Sequence, residues 1–337
     1  MEPILLLAHT EADGSLAKPA LEALATALGL GGEVTVGLVG ATTQAAADGI
    51  AGCGAVRFLA VTGESFAPPR YATDAAAAEA LCRASGAPIV VAPATSRWSR
   101  ALPGVAYRLG GRIDTHANAL AMRNDVPAVT RWFYRQRMEA VLTRSQRPWI
   151  VLLDPGCVAA PWAGAAGTAT VEAVAVEAPP TRTTVLGVHV SDAGEQTIRP
   201  DARLLFVAGA GWTKKQADGV PHAAQAEELI LGFLRASKAS LGGSKSLVDL
   251  SGEGQPVLRF MTHLNQIGQT GSTPRHAKGL STCCHGEEPH VVGWRFVNDR
   301  RAINLDANCG WARGKADILY VADAFAVMRE VNRILGR

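Results

Sequence analysis

The chain has 337 residues, of which 48% are hydrophobic and 19% charged, and a formal net charge of +3. That length buries a large core and favours about two domains over one. So small a charge, with no extended Lys/Arg block, lacks the electrostatic footprint of a nucleic-acid or anionic-membrane binder.

In the opening "MEPILLLAHTEADG" the apolar run Ile4–Ala8 is short and follows an acidic residue, so neither a signal peptide nor a spanning helix is expected. A cytoplasmic protein without direct membrane insertion is the expectation. The cysteines at 53, 82, 157, 283, 284 and 309 are sparse and irregular, which reads as reduced thiols. Through the first half, strand-length apolar runs (Ile4–Ala8, Val34–Val39, Val56–Val61, Ile89–Ala92) alternate with Ala/Leu-rich helix-length segments (Lys18–Leu28, Thr43–Ile50, Ala72–Ala84, Arg97–Leu109). This alternation predicts a parallel sheet with helices on both faces. Ligand crevices in such sheets lie beyond the strand carboxyl ends, which here read "HTEADG", "GATTQ", "TGESF" and "PATSRWSR". None is a G-x-G-x-x-G fingerprint, so a nucleotide-binding-like architecture in a scaffold or docking role is expected.

From Asn118 to Val176 the pattern shortens to "AVTRWFYRQRMEAVLTR", "WIVLLD" and "TATVEAVAVE", which suggests antiparallel additions to the sheet edge. Two prolines in "EAPPTRTT" mark a boundary, giving domains over 1–178 and 183–337. The second opens with a strand at Arg203–Ala208, the glycine turn "GAGWTKK" and a helix over Ala223–Ser237 with Ile230, Phe233 and Leu234 on one face. "LGGSKSLVDLSGEGQ" and "IGQTGSTPRHAKGLSTCCHGEEPH" follow, then "RRAINLD", "KADILYVAD" and a final helix over Ala324–Leu335. Short strands ending in Gly, Ser, Thr, Asn or Asp recur, so this half is expected to be a doubly wound α/β domain.

Any one such loop reads as an ordinary turn. Several converging at strand ends suit a large phosphate-bearing ligand, because glycine admits close backbone approach while N–H groups and hydroxyls face phosphate oxygens. Rival chemistries have weaker anchors. Cys283, Cys284, His285, His290 and Cys309 contain neither C-x-x-C nor H-x-x-x-H, so no metal is expected. Trp132, Phe133 and Tyr134 beside Arg131, Arg135 and Arg137 read as a half-buried strand rather than a stacking platform. No G-x-S-x-G elbow is present, and Asp249, Asp306 and Asp317 read equally as turn caps.

"LGGSKSLVDL", "IGQTG", "GLS", "AINLD" and "ADILYVADAF" occur in the order of the cofactor domain of the electron transfer flavoprotein alpha subunit, and the chain resembles that family over nearly its whole length. The sharpest elements are G-Q-T-G and the pairing of A-I-N-x-D with A-D-x-x-x-x-x-D. The resemblance implies an FAD-binding alpha subunit, an electron carrier rather than an enzyme with a substrate of its own. It would pair with a beta subunit and pass electrons from partner dehydrogenases to a quinone reductase. Carried over, Ser244 and Lys245 match the Ser-Arg pair beside the flavin and its phosphates, and Gln269 and Thr270, between Gly268 and Gly271, match the pair that contacts the ring. Ser281 matches the phosphate-side serine, Asn304 the adenosine-side asparagine, Asp323 the second aspartate of its motif, and His285 stands in for a Gln-His pair.

Departures accompany these matches. Lys245 replaces arginine, which keeps the charge and loses the bidentate fork. "STCCHG" replaces G-A-x-Q-H, and the glycine turn "VAGAGWTKK" lacks the family's arginine. The alternative function is a nucleotide-binding or structural subunit on the same fold without redox work.

Overall fold

The computed structural model describes residues 1–134, 138–158, 161–187, 198–249, 257–268, 273–282, 296–309 and 316–336. The chain divides into two compact units, Met1–Val188 and His189–Arg337, and both are α/β with Rossmann-like sheets.

In the first unit the elements run β1 (Ile4–His9), α1 (Lys18–Gly29), β2 (Val34–Gly40), α2 (Gln44–Gly49), β3 (Arg57–Thr62), α3 (Tyr71–Ser85), β4 (Ile89–Pro93) and α4 (Ser96–Arg108). They continue as β5 (Arg112–Arg123), β6 (Val126–Phe133), β7 (Met138–Leu142), β8 (Trp149–Leu153) and β9 (Val171–Ala173). Local signals explain the helix boundaries: Pro19 sits in the first turn of α1, Gly31 follows it with φ +75°, and Gly86 ends α3 in the left-handed region.

Among the described residues the sheet order is β7-β6-β5-β8-β4-β1-β2-β3-β9. Successive side chains of β1 go to opposite faces. Ile4, Leu6 and Ala8 join Ala23, Leu24 and Ala27 of α1 and Ala47 of α2, whereas Leu5 and Leu7 join Ala75 and Ala78 of α3 and Trp98 and Leu102 of α4. The parallel, helix-covered sheet expected from the alternation is therefore present.

The expectation of antiparallel additions over 118–176 holds for only part of that segment. β5, β6 and β7 do form an antiparallel meander at one edge. β8 instead inserts in parallel between β4 and β5, and β9 pairs in parallel with β3 at the far edge. A five-residue apolar run fits a fully buried parallel strand as well as an edge strand, and only pairing partners distant in sequence decide which. Asp114 on β5 secures the junction. It is 2% exposed and accepts bonds from Arg144 Nε and Nη2 (both 2.8 Å), Arg131 Nη1 (3.3 Å) and the Trp149 indole (3.0 Å).

The second unit holds β10 (Leu204–Ala208), α5 (Ala223–Ser237), β11 (Ser240–Gly243), α6 (Lys245–Asp249), β12 (His276–Thr282), β13 (Val297–Asn304), β14 (Ile318–Val321) and α7 (Ala324–Leu335). Its described strands are all parallel, in the order β11-β10-β12-β13-β14. One face is covered by α5 and α7, where Phe206 meets Phe233 at 5.3 Å and Met328 is fully buried. The other packs Leu205 and Ala302 against Ile267, Phe296 and Cys309. No described helix is long and apolar enough to cross a membrane.

Candidate functional site

Because β10–β14 are parallel, all their carboxyl ends share one edge. In spatial order that edge presents Gly243–Ser244, Ala208–Gly209, Thr282, Asn304 and Ala322–Asp323, spread over about 19 Å at the usual strand spacing. The chain leaves β10 toward β11 on one side and returns to β12 on the other, so the topological switch point lies between β10 and β12.

Ser244 is buried; its N–H donates to the Ala208 carbonyl at 2.9 Å and its hydroxyl accepts from the Leu247 N–H at 3.1 Å. That second bond caps α6 and sets the exposed Lys245 at the helix's first position. Gly268 reaches the same corner because the Ile267 N–H donates to Gly243 O at 3.1 Å, and Gln266 bridges Gly243. Its φ of +78° suits glycine, and its N–H donates to the Thr273 hydroxyl at 2.7 Å. Ser281 and Thr282, both buried, end β12. Asn304 ends β13, its Oδ1 accepting from the Asp306 N–H at 2.9 Å. Asp323 caps α7 by accepting from the Ala326 N–H at 2.7 Å.

Ser244, Lys245, Gly268, Ser281, Asn304 and Asp323 thus lie along a single edge. Gln269, Thr270, Gly271 and His285 lie outside the described residues, as do Cys283, Cys284 and His290. Cys309 packs in the apolar cluster beside Ile267. Among the described residues no group of three or more His, Cys, Asp or Glu side chains is arranged to hold a metal ion. Asp306 makes a local turn by accepting from the Asn308 N–H, whereas Asp317 forms a two-pronged pair with Arg300 instead of capping a turn.

Sequence reasoning did not single out Trp212. Fully buried in the turn Ala210–Thr213 after β10, it donates its indole N–H to the Thr282 hydroxyl at 2.8 Å. The sole local signal is a tryptophan inside a glycine turn.

The first unit has its own switch point between β1 and β4, and polar side chains of the protein line it. Arg97 of α4 is buried and donates Nε–H to Asp74 of α3 at 2.7 Å, and it also donates to the carbonyls of Phe66 and Ala67. Burial pushes the Asp74 carboxyl above its ordinary pKa against the pull of Arg97 and Arg100. His9 at the end of β1 packs 6.0 Å from the Trp98 ring, and burial followed by the charge of Arg97 holds its pKa below the usual value. The Cys82 thiol in the same layer is pushed up to about 12 by burial, so it is inert.

With this geometry in place, comparison with known proteins is decisive for the first unit. A family model described as the electron transfer flavoprotein domain matches residues 4–179. The chain belongs to the electron transfer flavoprotein family. No curated protein matches it. Proteins of this family generally carry FAD. The residues of this flavoprotein family member suit such a group: the carboxyl edge of the second unit offers hydroxyls, an ammonium and strand-end glycines beside a switch point. That is the donor set a diphosphate and a polar ring require.

Proposed function

We propose that the protein is the alpha subunit of an electron transfer flavoprotein. In this reading the second unit holds FAD, and the first serves as scaffold and docking surface for a beta subunit. The pair works in the cytoplasm and carries electrons from partner dehydrogenases to a quinone reductase. The carrying observation is the gathering of Ser244, Lys245, Gly268, Ser281 and Asn304 at one carboxyl edge, in a chain whose first unit matches the family.

When bound, FAD supplies the one- and two-electron chemistry. Lys245 places positive charge at the first turn of α6, where it favours an anionic ligand and the more negative, reduced ring. Ser244 holds that turn in place by capping it, and Ser281 and Asn304 offer a hydroxyl and a carboxamide further along the edge. Lys245 serves as a point charge, so electrostatics rather than a planar fork governs this end of the site.

The test is the absorbance of the protein purified with its co-purifying partner. A flavin band near ~450 nm, present as isolated or restored by added FAD, is expected. A colourless protein that takes up no FAD refutes the carrier reading, and uptake of AMP or NAD by that same protein would establish the binding-module alternative.

A further inference from the structure

The flavin reading assigns no role to Trp212, fully buried beside the switch point of the second unit. We propose that Trp212 is a positioning residue for the FAD site, acting through the hydroxyl of Thr282. This inference rests on the proposed FAD site and adds a residue to it.

Two hydrogen bonds run in series across the switch point. The Trp212 indole N–H donates to Thr282 Oγ1 at 2.8 Å, and that hydroxyl donates onward to the Val207 carbonyl at 3.2 Å. The relay therefore leaves the turn after β10, reaches the last residue of β12 and returns to β10. A third bond closes it, since the Gly209 N–H donates to the Thr282 carbonyl at 2.9 Å. Trp212 and Thr282 are both 0% exposed, so each bond forms away from water, where a lost partner is costly. On its other side the indole packs on Phe325 at a centroid distance of 4.6 Å, in the first turn of the helix that Asp323 caps.

Three features separate this arrangement from ordinary core packing. A buried tryptophan needs only one acceptor, and a backbone carbonyl would satisfy it. Here the acceptor is the hydroxyl of the residue that ends β12, next to Ser281. Strand geometry sends Ser281 to the opposite face, so whatever fixes Thr282 also fixes where Ser281 is presented. In addition, the first amide beyond β10 is used internally. Glycine turns in open α/β sheets commonly direct that amide at phosphate oxygens, whereas at Gly209 it serves the clamp. This leaves phosphate recognition to the side of the edge where Ser244 and Lys245 stand, and it gives the glycine turn a mechanical task suited to its lack of an arginine.

The experiment uses the full chain, purified with any partner it carries, stripped of flavin and titrated with FAD at a temperature where circular dichroism shows every variant folded. Trp212→Phe keeps an aromatic ring against Phe325 and removes the donor, Thr282→Val removes the hydroxyl at nearly constant shape, and Thr282→Ser retains it. FAD affinity is expected to fall about tenfold in Trp212→Phe and in Thr282→Val, since both lose the buried bond between the indole and the hydroxyl and Thr282→Val also loses the bond to Val207. It is expected to stay at the wild-type value in Thr282→Ser and to fall no further in the Trp212→Phe/Thr282→Val double variant. In the flavin-free protein, the 15N indole resonance of Trp212 is expected to shift in Thr282→Val.

If Trp212→Phe does not fold, the Thr282 pair decides alone. Unchanged FAD affinity in folded Thr282→Val, or losses that simply add in the double variant, would overturn the positioning role while leaving the FAD reading intact. A wild-type chain that takes up no FAD would overturn both.

Discussion

Replacing Asp114 with Asn tests whether one buried carboxylate holds the antiparallel extension onto the parallel sheet of the first unit. The carboxylate receives four bonds from three residues: two from Arg144, one from Arg131 and one from the Trp149 indole. Burial tends to raise its pKa, but the bonds from Arg144 and Trp149 and the charges of Arg144 and Arg131 outweigh it, leaving the carboxyl below the ordinary value. An amide in its place offers one acceptor oxygen and turns an NH2 group toward a guanidinium. Breaking one side of a buried ion pair costs about 3–5 kcal/mol. Arg131 and Arg144 keep 21% and 27% side-chain exposure, so water recovers part of their solvation and the lower end, about 3 kcal/mol, applies.

For a unit of this size that is about 6–12 °C of melting temperature, read by circular dichroism on the full chain. The pH dependence has a fixed sign. Because the folded pKa is depressed, the stabilisation is fully present above the unfolded value of about 3.9 and is lost as pH falls through the folded value. The variant should therefore lack the corresponding part of the acid limb. A loss below about 1 kcal/mol, or an unchanged acid limb, would show that Arg144 and Arg131 are solvated without Asp114 and that the junction is held by apolar packing.

Three further outcomes are expected. Lys245→Ala should lower the flavin reduction potential by about 20–40 mV, the one-electron equivalent of about 0.5–1 kcal/mol for a water-screened unit charge; spectroelectrochemistry showing no change would remove Lys245 from the mechanism. Asp323→Ala removes the cap of α7 and should cost about 1 kcal/mol in a urea melt, while Asp323→Asn should retain most of it. Cys82, with its thiol pushed up to about 12, should react with iodoacetamide only as fast as the first unit opens, and labelling at pH 8 that outpaces opening would contradict its burial.

Much of the fold is legible in the sequence where local signals agree. Helices α5 and α7 coincide with their expected spans at both ends, and β1 to β4 fall within a residue of theirs, because apolar runs and glycine caps mark them directly. β5 escaped because its exposure pattern lacks a clean two-residue period. His116 lies at φ +55° and a register shift separates Ala117 from Ala119, so the alternation is broken midway. The parallel insertion of β8 pairs residues about 60 positions apart and the Asp114 hub joins residues about 30 apart, which no local window sees. The strand-end residues of the candidate site were legible as a motif series. Trp212 was not, since its meaning comes only from Thr282, which lies 70 positions downstream.

The two units share a parallel-sheet plan but treat their switch points differently, and that difference bears on where a ligand can bind. In the first unit Asp74, an internal carboxylate, sits against Arg97 and Arg100 beside the start of α4. An external phosphate approaching those arginines would have to displace a carboxylate already bonded at 2.7 Å to a guanidinium that also holds two backbone carbonyls. Burial raises the Asp74 carboxyl's pKa against the pull of both arginines, and the bonds made by Arg97 tie α3, α4 and the Phe66–Ala67 backbone together at this corner. In the second unit the switch point is closed by neutral bonds through Trp212 and Thr282, and a cation stands one strand away, at Lys245 beyond β11. The two switch points therefore differ in kind: a buried arginine–aspartate pair occupies the first, and neutral bonds through Trp212 and Thr282 close the second. An external phosphate meets a standing ion pair at the first switch point, which supports the proposed placement of the anionic ligand in the second unit.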